Sequence, residues 1–426
     1  MKQTDPSAHG LTRAVHRRTL LVGGLALAAT AGGLVGCSSA ADSQFPTAAD
    51  TDGATPTVAA TDSELGRTLT AIIEPLMSEL MVPGVVVAVR TPEETWRQAF
   101  GRRTLATDAQ PVTVDDHFRI GSNTKTMTGT CVLQLVDEGI VELEDPIQKH
   151  LPQLSDAKLR GVTVAQLLDM RSGLHSYTEL RSFNEILDSD PARAWRPQEL
   201  VALGLAEKID FPPGQDWHYS NTNTVLAGMI VEHHDQRLLE QSFQARIFDK
   251  LALRNTLLPA KNSAAIREPH PRGYMYGTNV STLDDPTLSK ADQQRARSGK
   301  LKPGDYTDTN PSWGWAAGAG ISTAADLTTY VEALIGGGLL SPELQQRRLD
   351  SVVPVGNAGA GYGLALARFG PMLGHDGSLP GFTSFMAHDP KTSTTLIVLT
   401  TLQSSPDGKM VANEIARPLI GAIITS

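Results

Sequence analysis

The residues best suited to do chemistry are Ser122 and Lys125, which begin and end the tetrapeptide Ser-Asn-Thr-Lys and open the apolar pattern of a buried helix. Residues three apart face the same side of a helix, so the serine hydroxyl and the lysine amine are predicted to meet. The first helical turn also offers unpaired N–H groups and the positive end of the helix dipole, which stabilise an oxyanion. A lysine removed from water can accept the serine proton. The spacing fits nucleophilic catalysis, but it also fits a helix N-cap followed by a solvated lysine.

Two further triplets follow in the chain at long separations. Tyr219-Ser220-Asn221 comes after a Pro-Pro-Gly turn and before a helical stretch. His375-Asp376-Gly377 comes immediately before a strand-like C-terminal region. Three such elements in one order are much rarer than any of them alone, and together they favour a catalytic site over a chance match.

With these three motifs the chain resembles the serine β-lactamase and penicillin-binding-protein superfamily. The motifs of that superfamily are SxxK, a triplet headed by Tyr or Ser and ending in Asn, and a strand with Lys or His two residues before Gly. The likeness covers about residues 62–424 and is closest to the class C β-lactamase-like branch, particularly secreted D-alanyl-D-alanine carboxypeptidases. The flanks also match: Met170–Leu174, Asp216–Asn223, Gly318–Thr323 and Gly374–Gly381.

The resemblance implies a role for each catalytic residue. Ser122 would be the acylated nucleophile, and Lys125 and Tyr219 would be the catalytic pair that moves protons around it. Which of the two is the base stays open. Asn221 would bind the substrate amide, and the backbone N–H groups of Ser122 and Ser378 would form the oxyanion hole.

The third motif departs from the common pattern of the superfamily. His375 would replace the usual lysine and, with Gly377 and Ser378, line the substrate pocket. A histidine of ordinary pKa, about 6.5, offers less positive charge at neutral pH than lysine, so we expect β-lactamase activity to be weak. Arg368 could supply the missing cation for substrate binding, or it could be a solvated arginine at a strand end.

Strands and helices that would position these residues are predicted at both ends of the chain. Residues 63–81 have apolar groups at helical spacing, stopped by Pro83 and Gly84. Strands are predicted at 85–89, 95–100, 383–387 and 394–400, with a closing helix at 407–423. The stretches 164–170, 222–234 and 324–334 are helix-like, and Thr323 with Asp326 fits a capping box. The fold class that the resemblance implies is α/β (α+β): an antiparallel sheet flanked by helices, with an inserted, mostly helical domain, as in β-lactamases and transpeptidases.

The N-terminal region carries targeting signals in place of a core. Arginines precede an uncharged run of Leu, Ala and Gly that ends at Cys37, and Leu34-Val35-Gly36-Cys37 resembles the lipobox of bacterial lipoproteins. We therefore predict an export signal at 1–36 with lipidation of Cys37, a disordered tether at 37–61 and a hydrolase domain at 62–426. An uncleaved transmembrane anchor is the alternative.

Composition excludes several classes of function. Without residues 1–36 the chain has 33 basic and 45 acidic side chains, a net charge of −12, so nucleic-acid binding is not expected. The two cysteines, Cys37 and Cys131, form no zinc framework. Glu232-His233-His234-Asp235 could suggest a metal site, but adjacent histidines on a helix point apart. We expect neither a metal nor an organic cofactor.

The sequence as a whole predicts a membrane lipoprotein facing the cell wall or periplasmic space. Its expected activity is amide hydrolysis of the D-alanyl-D-alanine carboxypeptidase kind through an acyl-serine intermediate. Its expected partners are the membrane and a peptide or ester substrate, peptidoglycan stem peptide included. A carboxylesterase, a weak β-lactamase or a non-catalytic penicillin-binding protein would use the same residues.

Overall fold

The computed structural model describes residues 63–356 and 359–425. Within these ranges a large antiparallel sheet is flanked by helices on both faces, which confirms the predicted fold class. Cys37, the predicted signal at 1–36 and the predicted tether at 37–61 lie outside the described residues.

The strands form an eight-stranded sheet and two short ribbons. The large sheet has the order β2-β1-β12-β11-β10-β9-β8-β7, while β3 pairs with β6 and β4 pairs with β5. The strands are β1 Gly84–Arg90, β2 Thr95–Gly101, β3 Phe118–Arg119, β4 Tyr274–Met275, β5 Gly304–Asp305, β6 Ile321–Ser322, β7 Val353–Pro354, β8 Ala360–Gly363, β9 Leu366–Phe369, β10 Met372–Leu379, β11 Phe382–Asp389 and β12 Thr394–Thr400.

The first and last strands of the chain meet within the large sheet. β1 pairs with β12 in antiparallel register, with Val85 opposite Thr400. Side chains alternate along a strand, and the apolar run of β1 is buried on both faces because helices cover both. The prediction that the two ends of the chain supply the same sheet is therefore confirmed.

Helices fill the region between the early and late strands and also close the chain. They are α1 Glu64–Leu80, α2 Thr124–Asp137, α3 Ile147–His150, α4 Val164–Leu168, α5 Arg181–Ser189, α6 Pro197–Ala206, α7 Asn221–Asp235, α8 Leu239–Phe243, α9 Asn279–Asp284, α10 Lys290–Arg297, α11 Trp315–Gly318, α12 Ala324–Gly336, α13 Pro342–Asp350 and α14 Val411–Thr425. Among the described residues, no helix is long and apolar enough to span a bilayer.

Two apolar clusters hold these layers together. On one face of the sheet, Leu69 and Ile73 of α1 share a cluster with Ile415 and Leu419 of α14. On the other face, α2, α7 and α12 pack in a second cluster with apolar side chains of the sheet. The helix that follows Ser122 is therefore enclosed between the sheet and the helical region.

The two features predicted for helix ends have different outcomes. α1 ends at Leu80, before Pro83 as predicted, and Met81 takes the left-handed conformation with its N–H bonded to Met77 O. At α12, the Thr323 side chain accepts from the Asp326 N–H as expected. The Asp326 carboxylate instead accepts from Asn255 N and Thr256 Oγ1, so only half of the predicted capping box forms.

Candidate active site

Ser122 lies in a short 3₁₀ turn, Gly121–Asn123, that leads directly into α2. We expected Ser122 in the first α-helical turn, but the chain enters through Gly121 at a φ of +52°, where glycine is favoured, and makes the tighter turn first. Ser122 is partly exposed, whereas all residues from Thr124 to Leu135 are buried. The serine hydroxyl is thus presented at the open end of an enclosed helix.

Hydrogen bonds fasten the serine turn to the large sheet. The Ser384 hydroxyl on β11 donates to Ile120 O at 2.8 Å and accepts from Asn123 Nδ2 at 2.7 Å. All three residues are buried. The position of Ser122 is therefore set by the sheet as well as by its own helix.

Two glycines allow the backbone of this turn to approach β10. A Cβ atom at Gly377 would lie 2.2 Å from Ile120 O, and one at Gly121 would lie 2.8 Å from Ser378 N. No other residue type fits at either position without a shift of backbone. This close approach places the main chain of Ser122 beside that of Ser378, the two donors predicted for the oxyanion hole.

Lys125 is 1 % exposed and has three hydrogen-bond partners. Its Nζ lies 3.0 Å from Ser122 Oγ, 2.7 Å from Asn221 Oδ1 and 2.7 Å from Ala317 O. None of these partners is a carboxylate. Burial therefore lowers the pKa of Lys125 well below its ordinary value, and the charge of Asp376 opposes this shift without cancelling it.

The chemistry of these partners determines where a proton can move. Asn221 Oδ1 and Ala317 O are carbonyl oxygens and can only accept hydrogen bonds. They can therefore accept two N–H groups of Lys125, and in the neutral form of the amine the lone pair is left to face the Ser122 hydroxyl. Among the three partners Ser122 alone can give Lys125 a proton, as the predicted catalytic pairing requires.

Tyr219 lies two residues before the start of α7, with its ring centroid 4.8 Å from Lys125 Nζ. Its hydroxyl is buried and makes no hydrogen bond of normal geometry to a described residue. Burial raises the pKa of Tyr219 well above its ordinary value, Tyr362 adds to this effect, and the nearby Ser122 hydroxyl opposes it. Tyr219 is therefore a neutral phenol whose proton is not committed to another group of the described chain.

Asn221, the first residue of α7, is held by two side chains that the sequence analysis did not identify. Its N–H donates to Ser176 Oγ at 3.1 Å, and its Nδ2 donates to Thr178 Oγ1 at 2.8 Å. These bonds turn Oδ1 towards Lys125 and leave one amide N–H of Asn221 for the predicted contact with substrate. Ser176 and Thr178 closely follow the matching flank Met170–Leu174, and this proximity is the sequence feature that could have identified them.

His375 is brought close to Tyr219, with ring centroids 6.1 Å apart, but both of its nitrogens are occupied. Nδ1 lies 2.6 Å from Asp376 O, and Nε2 lies 3.2 Å from the Tyr362 hydroxyl. Because a carbonyl oxygen only accepts, Nδ1 carries the proton, and Nε2 accepts from Tyr362. No motif in the sequence marks Tyr362 as this partner.

The expected ordinary pKa of His375 is wrong. The side chain is 1 % exposed, and burial, together with the nearby Lys125, lowers the pKa of His375 to about 3. His375 is therefore neutral at neutral pH and supplies no positive charge to a substrate. The next residue, Asp376, accepts from Asn413 Nδ2 on α14 at 2.7 Å.

Arg368 lies on β9 and is partly exposed. Its Nε and a terminal nitrogen lie against Gly361 on β8, the strand on the far side of β9 from His375. Arg368 forms no ion pair with a described residue, and none of its hydrogen bonds joins it to Ser122, Lys125 or Tyr219. Of the two alternatives for Arg368, this position favours the solvated strand arginine.

The Glu-His-His-Asp sequence at the end of α7 is tied into other contacts. His234 Nε2 lies 2.9 Å from His150 Nδ1, and the Asp235 carboxylate pairs with Arg246. No group of three His, Cys, Asp or Glu side chains among the described residues could hold a metal ion. Cys131 is buried inside α2 and unpaired.

Comparison with protein families gives a match that covers most of the chain. A family described as Beta-lactamase matches residues 69–418. A curated relative, "Beta-lactamase" of Escherichia coli strain K12, is 28 % identical over 187 residues, which is 43 % of this chain. The aligned part spans 46 %, about half, of the length of that relative.

Solved structures give longer alignments. A D-stereospecific amidohydrolase from Streptomyces sp. is 29 % identical, with a TM-score of 0.68 over 83 % of this chain and 97 % of that chain. D-amino acid amidase from Ochrobactrum anthropi SV3, solved with D-phenylalanine, is 28 % identical, with a TM-score of 0.71 over 85 % of this chain and all of that chain.

Proposed function

Because the chain belongs to the β-lactamase family, we propose that it is a serine amidohydrolase that cleaves amide bonds beside a D-amino acid residue through an acyl-Ser122 intermediate. The observation that carries the proposal is the 3.0 Å contact between Ser122 Oγ and the desolvated Lys125 Nζ. The other two partners of Lys125 accept but cannot donate, so the amine lone pair faces the reacting hydroxyl.

Acylation follows from this arrangement. Lys125 takes the proton of Ser122 while Oγ forms a bond to the substrate carbonyl carbon. The resulting oxyanion is met by the backbone N–H groups of Ser122 and Ser378, donors of a kind whose loss typically costs about 10²–10³ in rate. Tyr219 passes its proton to the leaving nitrogen and regains one from Lys125, so the C–N bond breaks without expelling an anion.

Deacylation uses the same groups in reverse. A water molecule takes the place of the departed amine and gives a proton to Lys125 through Tyr219. The water oxygen attacks the ester carbon, and the Ser122 oxygen leaves with the proton returned by Lys125. In this scheme Lys125 is the base, because the pKa of Lys125 is lowered while that of Tyr219 is raised.

The charge of the pocket bears on the substrate class. A D-alanyl-D-alanine carboxypeptidase must bind the free carboxylate of the terminal residue. Here His375 is neutral, and Arg368 lies against β8. Both features favour substrates whose leaving group is uncharged, such as D-amino acid amides, over peptides with a free C-terminal carboxylate. The two structures at 28–29 % identity, an amidase of D-amino acids and a D-stereospecific amidohydrolase, support the same substrate class.

The experiment is a substrate panel assayed with wild type and Ser122→Ala. The panel comprises D- and L-phenylalanine amide, a D-Ala-D-Ala peptide, nitrocefin and a p-nitrophenyl ester. We expect turnover of the D-amide above that of the L-amide, the peptide and nitrocefin, with a loss of about 10⁴-fold or more in Ser122→Ala. Faster turnover of the D-Ala-D-Ala peptide would restore the carboxypeptidase assignment. If no substrate acylates Ser122, the result would favour the alternative of a non-catalytic penicillin-binding protein.

Export and lipid anchoring belong to the same proposal. They rest on Leu34-Val35-Gly36-Cys37 and on the polar tether that follows. A flexible tether of about 24 residues would extend roughly 25–30 Å and hold the hydrolase domain off a membrane. Cys37→Ala should release the protein from membranes or block signal processing. An unchanged membrane fraction and unchanged migration would argue against lipidation.

A further inference from the structure

Four titratable side chains form a cluster beside the candidate active site. We call His175, Glu179, Asp210 and His218 the imidazole–carboxylate cluster. Asp210 bridges the two imidazoles, with Oδ1 2.9 Å from His175 Nδ1 and Oδ2 2.5 Å from His218 Nδ1. The second nitrogen of His218 lies 3.1 Å from Glu179 Oε1. The four side chains are 21–25 % exposed, so solvent only partly screens them.

One arm of the cluster leads to Asn221. Residues 175–179 begin and end with cluster members, and between them lie Ser176 and Thr178, whose hydroxyls hold the Asn221 backbone and amide. The His175 carbonyl also accepts from Thr222 Oγ1 at 2.6 Å. A shift of this segment would therefore turn the Asn221 Oδ1 that Lys125 contacts.

The other arm leads to Tyr219. His218 directly precedes Tyr219, and its backbone N–H donates to Met170 O at 3.1 Å. The Asp210 N–H donates to Gly173 O at 2.8 Å. The segment 170–179, which holds Asn221, is thus joined to Asp210 and to the segment that begins at His218 both by backbone hydrogen bonds and by the ion pairs of the cluster.

His218 is the member of the cluster that carries a positive charge at neutral pH. Hydrogen bonds to Asp210 and then to Glu179 raise the pKa of His218 to about 10. The hydrogen bond to Asp210 also raises the pKa of His175, opposed by burial and by His218. Burial alone would raise the pKa of Asp210, but its bonds to both imidazoles outweigh burial and lower it. Both nitrogens of His218 face carboxylates, so its charged form fits the cluster. The titratable groups that face His218 are Asp210, Glu179 and His175.

We propose that the imidazole–carboxylate cluster is a positioning device that holds Asn221 and Tyr219 in register with Lys125. This proposal rests on the proposed function, because the two residues it positions are those of the acylation machinery. None of the four cluster members contacts Ser122 or Lys125, so they are positioning residues and not catalytic residues. The device works only while His218 is protonated, because its two nitrogens then donate to two carboxylates.

The pH dependence has a defined sign. The folded-state pKa of each imidazole is raised, so its contribution is present at low pH and is lost as pH rises through that pKa. Asp210→Asn keeps the shape of the side chain but removes the charge shared by both imidazoles. The pKa values of the imidazoles should fall in Asp210→Asn. The ion pairs that position Asn221 and Tyr219 should therefore be lost at a lower pH than in wild type.

The test measures kcat and KM for a neutral p-nitrophenyl ester between pH 6 and pH 9. For Asp210→Asn we expect kcat within about twofold of wild type at pH 6 and about tenfold lower at pH 9, with KM little changed. Asp284→Asn is the matched control, since it removes a more exposed carboxylate that pairs with Arg181. His218→Gln, which cannot titrate, should lower kcat by a similar factor at every pH.

A second measurement does not depend on turnover. Histidine NMR should show His218 titrating well above pH 6.5 in wild type and at lower pH in Asp210→Asn. If His218 titrates near pH 6.5 in wild type, or if the Asp210→Asn to wild-type ratio of kcat stays constant with pH, the positioning device is refuted. Failure of Ser122 to acylate, with the NMR shifts as expected, would instead overturn the proposed function.

Discussion

Lys125 and His375 are both basic, both buried and both close to Tyr219, yet the structure prepares them for different tasks. Lys125 contacts two oxygens that can only accept and one hydroxyl that can donate. His375 donates a hydrogen bond through Nδ1 to a carbonyl oxygen and accepts one at Nε2 from a hydroxyl, so its lone pair is not free. In both regions burial lowers the pKa.

The comparison shows that burial alone does not make a general base. A base needs a lone pair that faces the reacting proton, and the partners of the group decide whether one remains. The lone pair of Lys125 faces Ser122, whereas that of His375 is held by Tyr362. We therefore expect Lys125 to affect chemistry and His375 to affect stability.

The largest expected effect is that of Lys125→Met, which keeps the length of the side chain but has no basic nitrogen. Loss of a positioned base should lower kcat/KM for amides by about 10²–10⁴-fold. Methionine keeps the packing but leaves Asn221 Oδ1 and Ala317 O without this donor, so the fold should be kept while the free energy of unfolding falls by about 1–3 kcal/mol. Steady-state kinetics with the preferred amide, together with thermal unfolding, checks both expectations.

Lys149→Met is the matched control for that experiment. Lys149 pairs with Asp145, and the Lys149 side chain is 54 % exposed. Lys149→Met should leave kcat/KM within about twofold, since Lys149 forms no hydrogen bond with Ser122, Lys125 or Tyr219 and its amine is solvated. If Lys125→Met retained most of its activity while Ser122→Ala lost it, Tyr219 or another group would be the base.

A smaller effect is expected for His375→Gln, and on stability rather than catalysis. Replacing the imidazole disturbs two buried hydrogen bonds, so the free energy of unfolding at pH 7 should fall by about 1–3 kcal/mol. Because His375 does not titrate between pH 5.5 and 8, the pH profile of kcat/KM in this range should be the same for His375→Gln as for wild type. This should hold for carboxylate-bearing and for neutral substrates.

The stability difference should itself depend on pH. The folded-state pKa of His375, about 3, lies below the unfolded value of about 6.5, so the unfolded wild type binds one more proton between them. Wild-type stability from this group therefore declines by up to about 1.4 kcal/mol per pH unit below pH 6. Denaturant titrations should show the gap to His375→Gln narrowing towards pH 4. A constant gap would mean that His375 is solvated.

The local pattern of residues is enough to predict the serine, lysine and tyrosine motifs, the strands β1, β2, β11 and β12, and the longer helices. Ser122 and Lys125 are three residues apart, and apolar periodicity marks α7 and the strands at both ends. These features depend on short stretches of chain, whereas the fold class followed from the resemblance that the three motifs carry.

Contacts between distant segments of the chain could not be predicted from the sequence. Tyr362 reaches His375 across two strand pairings, and Thr178 reaches Asn221 from 43 residues away. The pKa of His375 depends on such neighbours, so the sequence alone suggests only the ordinary value. The incomplete capping box at α12 likewise reflects competition from groups far along the chain.

The pairing of β1 with β12 has a consequence for biosynthesis. Val85 cannot meet Thr400 until more than three hundred further residues have been made, and the Ser384 that fastens the serine turn also emerges late. Such distant pairings form slowly and only after the residues of β12 have been made. A growing chain that lacks β11 and β12 would therefore lack the contacts that position Ser122, so the serine would become reactive only after these strands have joined the sheet.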